Sequence, residues 1–257
     1  MDKVLQLFSR LLDLPVLASE HGKSVDALII YIHFLMIALF VGWLVYFGYV
    51  LVRFHHKRQP RANYRGVTSH ASSYVEGAVA VVEGLLLVAL AIPLWAHAVD
   101  KFPPEKDSTV LQIVAQQFAW NVRYPGKDGV FGKQDMRWVT SDNVFGVDPN
   151  DPHGKDDVQT LNEVHVVVNK PVIVYISSKD VIHSFKVIAM RVTQDAIPGM
   201  RIPIHFTPIM EGRFQINCAQ LCGNGHSGMS QGYMVVESQE AFDKWIASRS
   251  GPATSYE

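Results

Sequence analysis

The hydrophobic pattern changes character near residue 100. Before that point apolar residues come in long runs; after it they alternate with polar ones over short stretches. Residues 27–52 include no Asp, Glu, Lys or Arg, and the run exceeds the roughly 20 residues a helix needs to cross hydrocarbon. A second run, residues 74–99, is apolar apart from Glu76, Glu83 and His97. Two spans leave the N-terminus and the rest of the chain on one side of the membrane. The stretch between them, residues 53–65, reads RFHHKRQPRANYR without an acidic residue. By the positive-inside rule it is cytoplasmic, so the large C-terminal part faces outward. Ahead of the first span, Leu5, Leu7, Phe8, Leu11 and Leu12 fit an amphipathic helix lying at the interface; a processed leader is the alternative reading of that stretch.

Beyond residue 100 the pattern predicts strands at 109–116, 163–169, 171–178, 184–188, 201–207, 212–218 and 231–237. These segments are rich in β-branched residues, and several alternate with period two. Their Pro, Gly, Asn and Asp punctuation predicts an antiparallel sandwich or barrel. Residues 125–157, rich in Gly, Asp and Asn, read as a long surface excursion. After Ser238, Glu240, Phe242, Trp245 and Ile246 predict a short helix with Ser238 as its cap. Residues 250–257 are expected to be disordered. The fold class expected is therefore a membrane-anchored α+β chain, with two N-terminal transmembrane helices followed by an all-β sandwich. Its divisions are an interfacial segment at 1–24, spans at 25–52 and 74–99, a basic loop at 53–73, the β domain at 100–238, and a helix and tail at 239–257.

Charge adds little: 257 residues carry a formal net charge of −1, with no basic surplus to attract nucleic acid. The cysteines add more. Both lie in N-C-A-Q-L-C-G-N-G-H-S-G-M, residues 217–229, with His226 and Met229. His183 lies upstream in V-I-H-S-F, between two strand-like runs. Two thiolates, two imidazoles and a thioether suit copper. A structural disulfide would explain Cys218 and Cys222 but not His226 and Met229. Zinc makes little use of a thioether. Mononuclear blue copper uses one Cys, whereas two here suggest a bridging pair and two copper ions. A membrane-tethered copper chaperone or redox sensor would use similar donors in an exchangeable form. His153 and His165 read as surface or strand residues, and His205 as packing.

Residues 25–237 resemble subunit II of the haem–copper cytochrome c oxidases. The family motif C-x-E-x-C-G-x-x-H-x-x-M is matched except for Gln220 in place of Glu, and D-V-I-H-S-F (180–185) and Q-D-A-I-P-G (194–199) match as well. The resemblance implies an outward cupredoxin domain with a binuclear copper A centre. Cys218 and Cys222 would bridge the coppers, His183 and His226 would each bind one, Met229 would be a weak axial ligand, and Gln220 would bind through its backbone carbonyl. The family Glu also helps hold a magnesium ion at the subunit I interface; the neutral Gln220 is a poorer ligand for a hard cation.

Phe118 stands where the family has the Trp between the electron donor and copper, and Trp120 keeps the second aromatic position. Glu76 matches a family Glu at the mouth of a proton path into subunit I. Glu83, seven residues on and on the same helix face, would extend it. The implied partners are oxidase subunits I and III, membrane lipid, and a separate cytochrome c or haem-c subunit as donor. No Cys-x-x-Cys-His occurs, so no haem is expected on the chain. The implied role is to accept electrons and pass them to haem in subunit I of a proton-pumping oxidase in the cytoplasmic membrane, with Asp195 and Arg201 on the route. Quinol oxidase subunits share the fold but lose the copper ligands. Nitrous oxide reductase has the copper domain without this pair of helices.

Overall fold

The structure is a computed structural model that describes residues 2–61, 64–66 and 68–249, with side chains from Leu7 onward. The tail at 250–257, expected to be disordered, lies outside the described residues. The chain divides into two units, residues 1–14 with 24–97 and residues 15–23 with 98–257.

In the first unit, helix α1 (Asp2–Leu11) precedes helix α2 (Gly22–Arg53), and the Phe8 ring packs edge-on against Phe34 at 4.5 Å. The second long helix begins as α3 (Ala71–Leu85), widens into a π-helical stretch (Leu86–Ala91) and continues as α4 (Ile92–Asp100). The widening ends just before Pro93, which removes a helical N–H and so disfavours regular α-pairing there. Both helices are long and apolar enough to span a bilayer, and large side chains such as Phe40, Trp43, Leu87 and Trp95 are exposed along them. Lipid or partner helices would cover such surfaces.

Among the described residues the second unit holds ten strands. One sheet has the order β3-β2-β1-β5-β8, with β1 Thr109–Gln116, β2 Ala119–Tyr124, β3 Val158–Leu161, β5 Val172–Ser178 and β8 Ile202–Phe206. The other has the order β4-β10-β9-β6-β7, with β4 Glu163–Val167, β6 His183–Val187, β7 Val192–Ala196, β9 Gly212–Cys218 and β10 Gly232–Glu237. Leu111, Ile113, Ala115, Val174 and Ile176 of the first sheet and Val164, Val166, Phe185, Ile216 and Met234 of the second belong to one buried core. Full burial of each large aliphatic side chain contributes about 1.5–3 kcal/mol. Helix α5 (Gln239–Arg249) follows, with Ser238 Oγ accepting the Ala241 N–H at 3.2 Å.

The sandwich differs from the antiparallel expectation in two places: β1 pairs parallel with β5, and β4 parallel with β10. In each case the connection passes through the other sheet, by β4 between β1 and β5 and by β5 and β8 between β4 and β10, giving the long crossover that a parallel pair needs. β1 also departs from strict alternation, because Gln112 is buried along with Leu111 and Ile113. Its side chain bonds Arg123 on β2, and the excursion at 125–157 adds further contacts to that arginine.

A segment preceding α2 is part of this second unit. The Ala18 N–H donates to the Ala189 carbonyl (2.8 Å) and the Ile209 N–H to the Ala18 carbonyl (2.9 Å). Ser19, fully buried, donates its hydroxyl to the Met190 carbonyl at 2.6 Å. Arg191, at a left-handed hairpin position, donates to the carbonyls of Pro15 and Val16. Residues 15–23 thus form a strap on the β domain.

Candidate metal centre

The pairing of β6 with β9 brings the first two candidate ligands together. Phe185 lies opposite Cys218, and the Ala219 N–H donates to the Ser184 carbonyl at 2.9 Å. His183 at the start of β6 and Cys218 at the end of β9 therefore share one end of the second sheet. The chain then turns through residues 219–225 into a short helical turn, His226–Gln231, that carries His226 and Met229 before β10 begins.

This folding converges the donors. Cys218 Sγ lies 4.0 Å from His183 Nδ1 and 4.0 Å from Cys222 Sγ, and Cys222 Sγ lies 3.4 Å from His226 Nδ1. The ligand atoms of His183, Cys218 and Cys222 all lie within 4.8 Å of one another. Both cysteines are free thiols. The Cys218 thiol meets the Gln220 carbonyl at 3.0 Å, while the Gln220 residue itself is exposed. His183 and Met229 are fully buried and Cys222 nearly so. Soft sulfur and imidazole donors at this spacing, sealed on one side by core residues, fit copper.

Burial, with Cys218 beside it, pushes the Cys222 thiol up to about 11. Binding a metal as thiolate therefore releases a proton. Asp180, which faces His183 Nε2 at 2.9 Å, is driven the other way overall. Burial works against its charge, but the Gln117 N–H, His183 and the Val181 N–H outweigh that and hold it below the usual carboxylate range.

Trp120 lies wholly inside the sandwich. Its indole N–H donates to the Met229 carbonyl at 2.9 Å, and its ring meets Phe185 and His183 edge-on at 5.5 and 6.2 Å. Phe118 is half-buried beside the loop. A Cβ on Gly225 would lie 2.3 Å from the Phe118 ring, so glycine is what lets the loop close over that ring. Glu76 and Glu83 are exposed on α3, in the other unit. His165 is a buried strand residue held between Glu237 and Glu163, and the His205 ring packs 4.6 Å from Phe102. Sequence reasoning passed over Gln117 and Asp180. The available signal was an acidic residue three places before a candidate histidine ligand.

Comparison with known proteins gives the family. The family model described as the periplasmic domain of cytochrome c oxidase subunit II matches residues 109–238. The "Alternative cytochrome c oxidase subunit 2" of Bradyrhizobium diazoefficiens is 34% identical over 212 residues, covering 81% of this chain and 74% of that one. A subunit 2 relative from Rickettsia felis is 33% identical over 221 residues, covering 84% of this chain and 64% of its own length. The crystal structure of the periplasmic domain of subunit II of cytochrome oxidase from Bradyrhizobium japonicum covers 58% of this chain and 96% of its own, at 27% identity and a TM-score of 0.42. With the family match running from the first residue of β1 to just past β10, and with a relative 34% identical over 81% of this chain, the chain belongs to the cytochrome c oxidase subunit II family.

Proposed function

We propose that this chain is the electron-accepting subunit of a proton-pumping terminal oxidase and holds a binuclear copper A centre. The observation that carries the reading is the convergence of His183 Nδ1, Cys218 Sγ, Cys222 Sγ and His226 Nδ1 at one end of the sandwich. Met229 and the Gln220 backbone carbonyl would complete the donor set. When bound, the centre supplies a one-electron carrier whose charge is spread over two metals. The residues around it supply rigidity: strand ends fix His183 and Cys218, and the buried Trp120 holds the Met229 backbone. Little reorganisation between oxidation states favours fast electron transfer.

A c-type cytochrome or a haem-c subunit is the donor in this reading. Trp120 is fully buried, so the donor would meet the Phe118 side of the loop. Subunit I, with subunit III beside it, would receive the electron at haem and reduce oxygen to water. Glu76 and Glu83 on α3 would line proton uptake toward subunit I, since intramembrane carboxylates are costly and are retained for function or pairing. Gln220 argues against a tightly held magnesium at the subunit interface. The acid-free loop at 53–61 and 64–65 supports a cytoplasmic position for it, hence an outward copper domain, and the strap supports the same side for residues 15–23.

The test is copper loading of the full-length chain in detergent, since a fragment starting after the helices would lose the strap. Two coppers per chain and a seven-line mixed-valence electron paramagnetic resonance signal, as two equivalent spin-3/2 nuclei require, are expected. One copper with a four-line signal, or metal lost at once to a mild chelator, would overturn the reading in favour of a chaperone.

A further inference from the structure

Two residues that are not ligands hold one histidine ligand and one turn of the copper loop. Asp180 Oδ1 lies 2.9 Å from His183 Nε2 and also accepts the Val181 N–H at 2.7 Å. A carboxylate only accepts, so Nε2 carries the proton and the Nδ1 lone pair turns toward Cys218 Sγ. The other oxygen, Asp180 Oδ2, accepts the backbone N–H of Gln117 at 2.7 Å. Gln117 then reaches in the other direction: its side-chain amide donates to the Cys222 carbonyl at 2.6 Å. Gly223 explains how the loop comes so close. Its φ is +135°, and a Cβ there would sit 2.8 Å from Gln117 Nε2.

We propose, on the basis of the copper reading above, that Gln117 and Asp180 act as one positioning clamp for the centre. One arm fixes His183 in the metal-binding tautomer; the other fixes the backbone of Cys222. The two arms meet at Gln117, whose backbone leads directly into Phe118. The ligand shell and the surface beside Phe118 are therefore joined by three hydrogen bonds, and the site is preorganised before metal arrives. Carboxylate partners of metal-bound histidines orient the ring and raise its basicity, and here the same carboxylate also anchors the neighbouring turn.

The experiment compares full-length copper-loaded chains carrying Asp180→Asn, Gln117→Ala, or both. Asn keeps the shape of Asp and can still accept from His183 Nε2. Its NH2 must then face the Gln117 N–H, donor against donor. The readouts are copper retention against a fixed chelator and the hyperfine pattern of the mixed-valence signal. Asp180→Asn should loosen copper about 10–100-fold and alter the hyperfine pattern. Gln117→Ala should loosen it about 5-fold, as expected for loss of one hydrogen bond. The double variant should fall short of the product of the two, because both act through one clamp.

Wild-type retention and spectrum in both single variants would overturn the clamp while leaving the copper reading intact. Absence of the two-copper signal in the unmodified chain would overturn the copper reading, and the clamp with it. If Asp180→Asn fails to fold, Gln117→Ala, which trims only an exposed side chain, decides the matter by the same two readouts.

Discussion

Two long irregular segments interrupt the sandwich, and they use their polar side chains in opposite ways. Residues 125–157 close on themselves. Arg123 on β2 forms a fully buried ion pair with Asp157, donates to the Gly132 carbonyl at 2.9 Å, and lies over the rings of Phe131 and Phe145. The Lys133 N–H is taken by Asp151 at 2.7 Å, and both ends of the Asn143 side-chain amide are bonded to Val147. The copper loop gathers its sulfur and imidazole groups at one point. Its sulfur and imidazole atoms stand 3.4–4.0 Å apart, close enough for shared coordination. A loop whose side chains bond mainly its own backbone and one buried arginine is a structural element; a loop that gathers two thiols and two imidazoles at one point has the donor set of a binding site.

The sharpest way to break this comparison is to remove one sulfur. Cys218→Ser should abolish the two-copper signal altogether, because a hydroxyl does not replace a bridging thiolate. The partly exposed position should leave the metal-free fold within about 1 kcal/mol of the parent. Copper counting and a denaturant melt of the metal-free chain measure the two halves of this expectation. A large loss of metal-free stability would mean that the loop is structural after all.

The excursion should respond the opposite way. Asp157→Ala strands the Arg123 guanidinium in a fully buried position. Breaking a buried pair on one side costs about 3–5 kcal/mol. Whatever remains folded should keep a parental copper spectrum, because these residues bond one another and not the ligands. Loss of the spectrum under conditions where circular dichroism still reports the folded sheet would show that the two loops are coupled.

The asymmetry also explains what could be read from the sequence. Spacing alone marks Cys218, Cys222, His226 and Met229, because a metal loop must place its donors within one short segment or beside a strand end. The apolar runs announce the helices by length. Arg123, in contrast, makes A-W-N-V-R-Y look unlike a core strand, and its burial depends on Asp157, thirty-four residues away. The parallel pairing of β1 with β5 depends on where the intervening strands go, which local pattern does not encode. The strap at 15–23 is equally hidden: Ser19 is buried because Met190 offers a carbonyl 171 residues away. Asp180 is visible as a letter three places before His183, but its role requires knowing that the Gln117 N–H and His183 Nε2 meet the two oxygens of one carboxylate.

The smallest expected effect lies on the outer surface of the excursion and tests whether its polar bonds persist where water competes. His153 Nδ1 lies 2.5 Å from Asp128 Oδ2, and both side chains are solvent-accessible. The hydrogen bond to Asp128 holds His153 above its usual range, and the bond to His153, helped by the Val130 N–H, holds Asp128 below its own. The signs define a window. A raised histidine contributes stability that is complete below its unfolded value and is lost as pH rises through the folded one. A lowered aspartate contributes stability that is complete above its unfolded value and is lost as pH falls through the folded one. The pair is therefore at full strength between about pH 4 and 6.5, the two ordinary values. Following the His153 ring by nuclear magnetic resonance should show its midpoint falling toward 6.5 in Asp128→Asn, and falling partway with added salt, since exposed charges are screened. An unchanged midpoint would mean that the outer polar bonds of this loop do not hold in solution, leaving the buried Arg123–Asp157 pair as the feature that separates it from the copper loop.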